Sequence, residues 1–384
     1  MFTVCTNQDD HASLQELDEY CDRIYQVDLP SWRSALNCLS ALPTRQPLQA
    51  VYSWDASLAE HLYSSAGKNE DGDSYDIAHV EHLRGARYGL DLIARSGNQK
   101  SRLPVVWDSV DSISLLFRQA MVQSKSIFSR GVTRFELGRT EDYEGWLVDQ
   151  FDSVLVTSKH DKEALLELSN KKGSEKQINV LPNGVDLEYF TPDAAGERQD
   201  QMVVLSGKMS YHANVTMVVD FIEGIMPHVW NQQPEVKVWI VGKDPPPKLK
   251  AYAEHPNINV TGTVDDIRPY LRKATLSASP IPYGAGIQNK VLEAMACATP
   301  VVATQQAVSA LDVQADKEVM VAGSPVEFAD KMIALLEAPE LRIGVGNAGR
   351  SYVERNHDWA VVAAQLAEVY SQTLARVQRK NDNY

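Results

Sequence analysis

Three junctions in the second half of the chain have the residue types that could hold a phosphate. In "VVLSGKMSYHAN" an apolar run ends at Ser206-Gly207, Lys208 follows, and a helix is expected from near Asn214. Gly207 lets a phosphate approach the backbone, a helix start presents free N–H groups, and Lys208 adds a full charge. In "SPIPYGAGIQNKVLEAMACATPVVAT" a strand ends at Pro280 to Pro282 and a glycine loop, Gly284 to Gly286, leads into a helix near Gln288. Gly286, Ile287, Gln288 and Asn289 form its approach; Lys290 and Glu293 are three apart and share a face. A lysine there can neutralise a diphosphate, and a carboxylate one turn later can accept hydrogen bonds from a ribose diol. The alternative is a surface Lys–Glu pair. The third junction, "WIVGKDPPPKLK", ends a strand at Gly242 and reads as a stiff proline turn.

The first half offers less. In "YDIAHVEHLRG" a strand ends at Glu81, and Glu81 or His82 could act as acid/base or sugar contact. His79 alternates with them and reads as a packed strand histidine. In "LPVVWDSVDS", Asp108 and Asp111 stand at another strand end, where either could cap the following helix. Residues 112 to 139 hold Arg118, Lys125, Arg130, Arg134 and Arg139 against Glu136, interleaved with apolar residues. That stretch could meet an anionic membrane surface, or be a solvated helix face.

Several chemistries are not signalled. No phosphate-binding G-x-x-x-x-G-K-[ST], no G-x-G-x-x-G and no G-x-S-x-G occurs. Asp71-Gly72-Asp73 lies in a polar run and reads as a solvated turn. No His/Cys/Asp cluster has metal-ligand spacing, so no metal is expected. Cys5, Cys21, Cys38 and Cys297 read as reduced thiols. The net charge of −14, from 37 Lys and Arg against 51 Asp and Glu, argues against a nucleic-acid binder. No run approaches the ~18 apolar residues of a membrane span, and the first residues do not read as a signal peptide. A cytoplasmic protein, peripheral at most to the inner membrane, is expected.

These junctions need parallel strands to carry them. Short apolar runs alternate with helix-length amphipathic segments in two series, which predicts an α/β chain with two doubly wound parallel sheets. The turn "PNG" and the polar run after it mark the boundary. The expected domains are residues 1–182 and 183–356, with residues 357–384 forming a C-terminal helix.

"VLPNGVDLEYF", "SGKMSYHAN", "VWIVGKDP", "VTGTVDDIRPYL" and "GIQNKVLEAMACATPVVAT" come in the order of the GT-B-fold glycosyltransferases of family 4, the group 1 transferases, which this chain resembles. "HVEHLR", "WDSVDS" and "GIQNKVLEAMA" resemble the branch associated with bacterial exopolysaccharide and PEP-CTERM/exosortase systems. The resemblance implies two Rossmann-like domains with the active site between them. It implies a metal-independent reaction that retains anomeric configuration. A nucleotide-diphosphate sugar is co-substrate, there is no cofactor, and the acceptor is a glycan or polyprenyl-linked molecule. Gly207 and Lys208, and Lys290 with the backbone of Ile287 to Asn289, would contact the diphosphate, and Glu293 would bind ribose. The C-terminal helix would pack back on domain one.

Three departures stand out. The first acid of the family's E-x7-E motif falls at Ala285. A lysine, Lys208, replaces the usual arginine and gives up bidentate geometry. The family also opens with a strand, a glycine-rich loop and a helix ahead of the segment that residues 1–30 resemble, so this chain is expected to begin at the second strand. That is either a misassigned start or a degraded or specialised copy. The leading reading is a glycosyltransferase. A weakly active or inactive nucleotide-sugar-binding protein and a sugar-nucleotide epimerase are the alternatives.

Overall fold

A computed structural model describes residues 1–66, 75–96, 102–123, 127–169, 177–193, 198–283 and 286–382. Asp71-Gly72-Asp73, Lys125, Gly284 and Ala285 lie outside these residues. The chain forms two units, Met1–Leu181 with Leu366–Tyr384, and Pro182–Gln365.

Unit 1 has six strands: β1 (Phe2–Cys5), β2 (Tyr25–Asp28), β3 (Ala78–Glu81), β4 (Val105–Val110), β5 (Ser153–Val156) and β6 (Ile178–Val180). They make two parallel sheets, β1-β2 and β3-β4-β5-β6. The runs "VVWDSV" and "SVLV" are buried nearly throughout, as strands covered on both faces must be. Trp107, Leu147, Phe151 and Leu165 fill the core of this sheet.

Unit 2 has β7 (Met202–Ser206), β8 (Lys237–Val241), β9 (Ile258–Gly262), β10 (Leu276–Ser279), β11 (Val301–Thr304) and β12 (Met320–Ala322). They form one parallel sheet in the order β12-β11-β10-β7-β8-β9. From β7 the chain winds first through β8 and β9, then returns to β7's other edge with β10. The strand order therefore reverses between β7 and β10. In open α/β sheets ligands bind beyond the carboxyl ends of the strands at that reversal.

One expectation about local structure is corrected. Asp108 and Asp111 do not cap the following helix, Ile113–Gln123. Asp108 accepts from the amide of Val110 at 2.9 Å, and Asp111 from the hydroxyl of Thr157 at 3.0 Å. The cap comes from Ser112, whose hydroxyl accepts from the amide of Leu115 (3.3 Å), and from Glu144, thirty residues on, whose carboxylate accepts from the amides of Ile113 (2.8 Å) and Ser114 (3.1 Å). In the basic stretch, two of the cations are engaged within the protein. Arg118 pairs with Glu141 at 2.7 Å, and Arg139 is buried, donating to the carbonyls of Ala41 (2.7 Å) and Leu42 (3.3 Å). Arg134 is exposed. The final helix, Trp359–Asp382, begins in unit 2 and ends in unit 1. In unit 1 Tyr370 bonds His79 at 2.8 Å and Arg376 bonds the carbonyl of Asp152 at 3.0 Å.

Candidate functional site

The first two junctions leave the two strands that flank the reversal in unit 2. After β7, Gly207 has φ +145° and Gly242, after β8, has φ +153°. A Cβ on Gly242 would lie 1.7 Å from the carbonyl oxygen of Gly207, so only glycine lets the two backbones meet. The amide of Gly207 bonds the Val241 carbonyl (3.1 Å) and that of Met209 the Lys243 carbonyl (2.9 Å). Gly242 thus shapes the first junction from beside it, a structural task.

The helix after this turn runs His212–Asp220, two residues earlier than the spacing suggests. Asn214 is therefore inside it, buried, with its side chain folded back. Its Nδ2 donates to the Lys208 carbonyl at 2.9 Å, and its Oδ1 accepts from Lys290 Nζ at 2.5 Å. One asparagine joins the two candidate lysine segments across the reversal. A Cβ on Gly207 would sit 2.9 Å from this amide and 3.5 Å from Lys290 Nζ, so the glycine clears the space in front of both. Lys208 itself is exposed. Sequence reading missed Asn214 as a site residue. The signal was its place six residues beyond Lys208, in the first turn of the helix that follows β7.

Lys290 and Glu293 stand on the helix Asn289–Ala296, which follows β10. Gly286 has φ +72°, which turns the loop, and Ile287 is buried in the core and anchors it. Gln288 is the N-cap residue, but its side chain makes no capping bond. Tyr211 at the head of His212–Asp220 makes none either. Elsewhere, Ser158 and Ser324 do cap the helices they precede. Both helix starts at the reversal therefore keep amides uncommitted to side chains, with partial positive charge. Asn289 meets Asn183 of the "PNG" turn, Oδ1 to Nδ2, at 3.3 Å. Tyr283, in the loop after β10, bonds His212 and Thr216 of the first helix.

Burial shapes the charges. It pushes the Lys290 ammonium down to about 8, against the attraction of Glu293, and raises the Glu293 carboxyl, against the attraction of Lys290. Each would be relieved by a polar ligand that replaces the lost water: an anion at Lys290, hydroxyl donors at Glu293. The hydroxyls of Ser206 and Ser279, which end β7 and β10, are buried without a partner among the described residues. The arrangement can bind a diphosphate between two helix starts and two lysines, with a carboxylate one turn deeper.

Glu81 and His82 stand in unit 1 at the end of β3, both exposed. His82 has φ +59°, and Val110, at the end of the neighbouring β4, has φ +64°. A β-branched residue there is strained, and such strain gathers at functional sites. Trp107 Nε1 donates to the His82 carbonyl at 3.3 Å, holding that turn. His79 is partly buried between Tyr370 and Asp108, with its Nε2 3.6 Å from the Asp108 carboxylate. The fold also gathers three ligand types that sequence spacing gave no hint of: Cys5, His11 and Asp28, within 4.8 Å of one another. His11 and Asp28 pair at 2.9 Å, and burial raises the Cys5 thiol.

Comparison with known proteins bears on both units. Residues 200–338, which carry both loops of the reversal, match the family model "Glycosyl transferases group 1". The phosphatidyl-myo-inositol mannosyltransferase of Mycobacterium leprae is 32% identical over 207 residues, 50% of this chain and 52% of that protein. The chain spans about half the length of the curated relatives it matches. Sucrose-phosphate synthase from Thermosynechococcus elongatus superposes with a TM-score of 0.62 at 15% identity, covering 98% of this chain and 99% of that one. Anabaena HepE in complex with UDP and glucose gives 0.62 at 14% identity, over 96% and 98%. The fold is GT-B, with two Rossmann-like units, and residues 200–338 of the second are similar to the group 1 glycosyl transferases.

Proposed function

We propose that the protein is a glycosyltransferase that moves a sugar from a nucleotide-diphosphate sugar to a glycan or lipid-linked acceptor. The observation that carries this is the Lys208–Asn214–Lys290 bridge at the reversal, between two helix starts free of side-chain caps. Lys290, Lys208 and the helix amides stabilise the diphosphate as it leaves, and Glu293 holds the ribose. These groups supply the positive charge that departure needs. The reading includes retention of anomeric configuration without a required metal, with Glu81 or His82 serving the acceptor side. The exopolysaccharide role rests on the resemblance of "HVEHLR" and "WDSVDS".

A lipid-linked acceptor is supported by the name of the mycobacterial relative and by the helix Ser31–Ala41. That helix is inside out. Trp32, Leu36 and Leu39 share one face and are 54–61% exposed, while Ser34 is buried and Asn37 bonds the carbonyls of Tyr52 and Trp54. Apolar residues facing outward on one stripe suit the interface of a bilayer. Among the described residues no helix is long and apolar enough to cross one.

Thermal unfolding with UDP, GDP, ADP and dTDP in the presence of EDTA tests the donor site. A ligand at ~100 times its Kd adds about 2.7 kcal/mol to the folded state. One nucleotide is expected to raise Tm, and Lys290→Ala and Glu293→Ala to lose the shift. No shift with any nucleotide, or full shifts in both variants, refutes the site. A second reading, binding without turnover, is favoured by Ala285 in place of an acid. Binding with no sugar transfer to any acceptor would select it. The configuration of the product's anomeric carbon, read by NMR, tests retention.

A further inference from the structure

Cys5, His11 and Asp28 come from the two strands and the helix of one β-α-β unit. β1 ends at Cys5, the helix Gln8–Gln15 crosses over, and β2 ends at Asp28. The strands are parallel, and Cys5 and Asp28 are register partners. Such partners project to the same face of a sheet. The amide of Leu29 donates to the Cys5 carbonyl at 2.8 Å, which ties the two strand ends together. His11 closes the first turn of the helix between them. A thiol sulfur, an imidazole nitrogen and a carboxylate oxygen thus lie within 4.8 Å of one another at the carboxyl end of the strand pair.

The turn that places His11 is held by groups outside the trio. Asn7 caps the helix, its side chain accepting from the Asp10 amide at 3.0 Å, while the Asp10 carboxylate accepts from the Asn7 amide at 3.3 Å. The same carboxylate accepts from the amide and the hydroxyl of Thr6, at 2.7 and 2.8 Å. Asp10 therefore locks the two residues between Cys5 and the helix, and it precedes His11 directly. Its oxygens are engaged with that turn, so it positions a neighbouring side chain and is not itself one of the trio.

An ion pair does not account for all three residues. His11 and Asp28 pair at 2.9 Å with both side chains reaching solvent, where such a pair is worth little. Cys5 is buried and brings a sulfur that this pair does not need. Sulfur, nitrogen and oxygen together suit zinc and its d-block neighbours, whereas calcium and magnesium take oxygen. Tetrahedral zinc, with bonds of about 2.3 Å to sulfur and about 2.0–2.1 Å to nitrogen and oxygen, sets its ligand atoms roughly 3.3–3.6 Å apart. The limit of 4.8 Å here exceeds that by only about 1.2 Å. His11 and Asp28 can take up the difference by side-chain rotation.

We propose that Cys5, His11 and Asp28 bind one zinc-class divalent cation, which fastens the start of the helix Gln8–Gln15 to the ends of β1 and β2. Cys5 releases its thiol proton to solvent as the metal–sulfur bond forms, and thiolate and carboxylate together cancel the charge of the cation. A water completes the tetrahedron on the solvent side. The role is structural. A two-stranded sheet and an eight-residue helix are each marginal alone, and a cation that binds only their folded arrangement stabilises both. Unit 1 alone holds this site, so it stands apart from whatever unit 2 binds.

The test uses the untagged 384-residue protein, stripped with EDTA and dialysed into metal-free buffer. One equivalent of Zn²⁺ should bind and raise Tm, and Mg²⁺ at the same concentration should not. Co²⁺ as a probe should give a thiolate-to-cobalt charge-transfer band and the visible bands of a tetrahedral site. Cys5→Ser should remove the charge-transfer band. His11→Ala should lower zinc affinity at least a hundredfold and Asp28→Asn at least tenfold. Both residues reach solvent, so these two variants should keep the parent's Tm in EDTA, which separates loss of a ligand from loss of fold. Cys21→Ser and Cys38→Ser should bind zinc as the parent does. Absence of bound zinc overturns the proposal, as does a cobalt spectrum without the sulfur band. So do unchanged affinity in His11→Ala and Cys5→Ser, an equal loss in Cys21→Ser, or an equal rise of Tm with Mg²⁺. The nucleotide-induced rise of Tm is measured in EDTA, where this site is stripped, so the failure of one reading cannot pass for the failure of the other.

Discussion

Lys290 is the residue on which the proposed donor site turns. Its ammonium is held down to about 8 by burial, and Asn214 Oδ1 is its acceptor at 2.5 Å. A diphosphate favours the charged form and raises that value on binding. Below pH 8 the lysine is already charged and affinity is flat. Above it, binding must take up a proton, so affinity falls up to tenfold per pH unit until the bound value is reached. Calorimetry in buffers of different ionisation enthalpy should detect that uptake at pH 9 and not at pH 6.5. Lys290→Arg, which stays charged, should flatten the profile. Lys290→Ala should cost about 2–5 kcal/mol of diphosphate binding, the range for truncating one partner of a buried charge pair. The linkage also runs through folding. A lysine lowered from 10.5 to about 8 binds fewer protons folded than unfolded, so its contribution to stability rises with pH between those values.

The elements carry two further expectations. The sheet of unit 2 is pinned where Gly242 meets the Gly207 carbonyl, and Gly242→Ala should cost more than about 4 kcal/mol or prevent folding. Gly262 also has positive φ, +71°, but a Cβ there meets nothing within 4 Å. Gly262→Ala should cost only about 1–2 kcal/mol. Denaturant unfolding of the two variants separates contact from conformation. In unit 1 the buried Glu144 carboxylate accepts from two amides and two hydroxyls at the start of Ile113–Gln123. Glu144→Ala strands both amides, leaves the two hydroxyls only each other, and should cost about 3–5 kcal/mol, with Glu144→Gln milder. The outward stripe on Ser31–Ala41 predicts binding to anionic vesicles. Trp32→Ser with Leu36→Ser should abolish flotation with unchanged Tm, while Arg130→Glu with Arg134→Glu should only weaken it. Equal flotation of the stripe variant and the parent would refute the stripe as the membrane contact.

At the scale of the molecule, unit 2 is organised by where its strand order reverses, and the strands of both units were legible unevenly. The apolar runs of β1 to β5 and β7 to β11 stand out in the sequence, most clearly β4, β5, β7 and β10, which are buried on both faces. β12 did not, since three residues are too few for a pattern. The glycine before Lys208 and the Gly-x-x-x-Lys-x-x-Glu run marked the two loops, because phosphate approach and helix starts need those residue types at those places. The sequence by itself therefore determined the alternation of strands and helices, the two series, and the lysines and glutamate offered at strand ends. Tertiary structure decided the rest, because sheet order and long-range partners leave no local periodicity. It set β7 beside β10, which brings Lys290 to Asn214 across 76 residues. It gave the Ile113 helix its cap from Glu144 and not from a nearby aspartate. It paired Arg118 with Glu141, buried Arg139 and turned the apolar stripe of Ser31–Ala41 outward. It also brought Cys5, His11 and Asp28 together from two strands and a helix, a gathering that no single segment records.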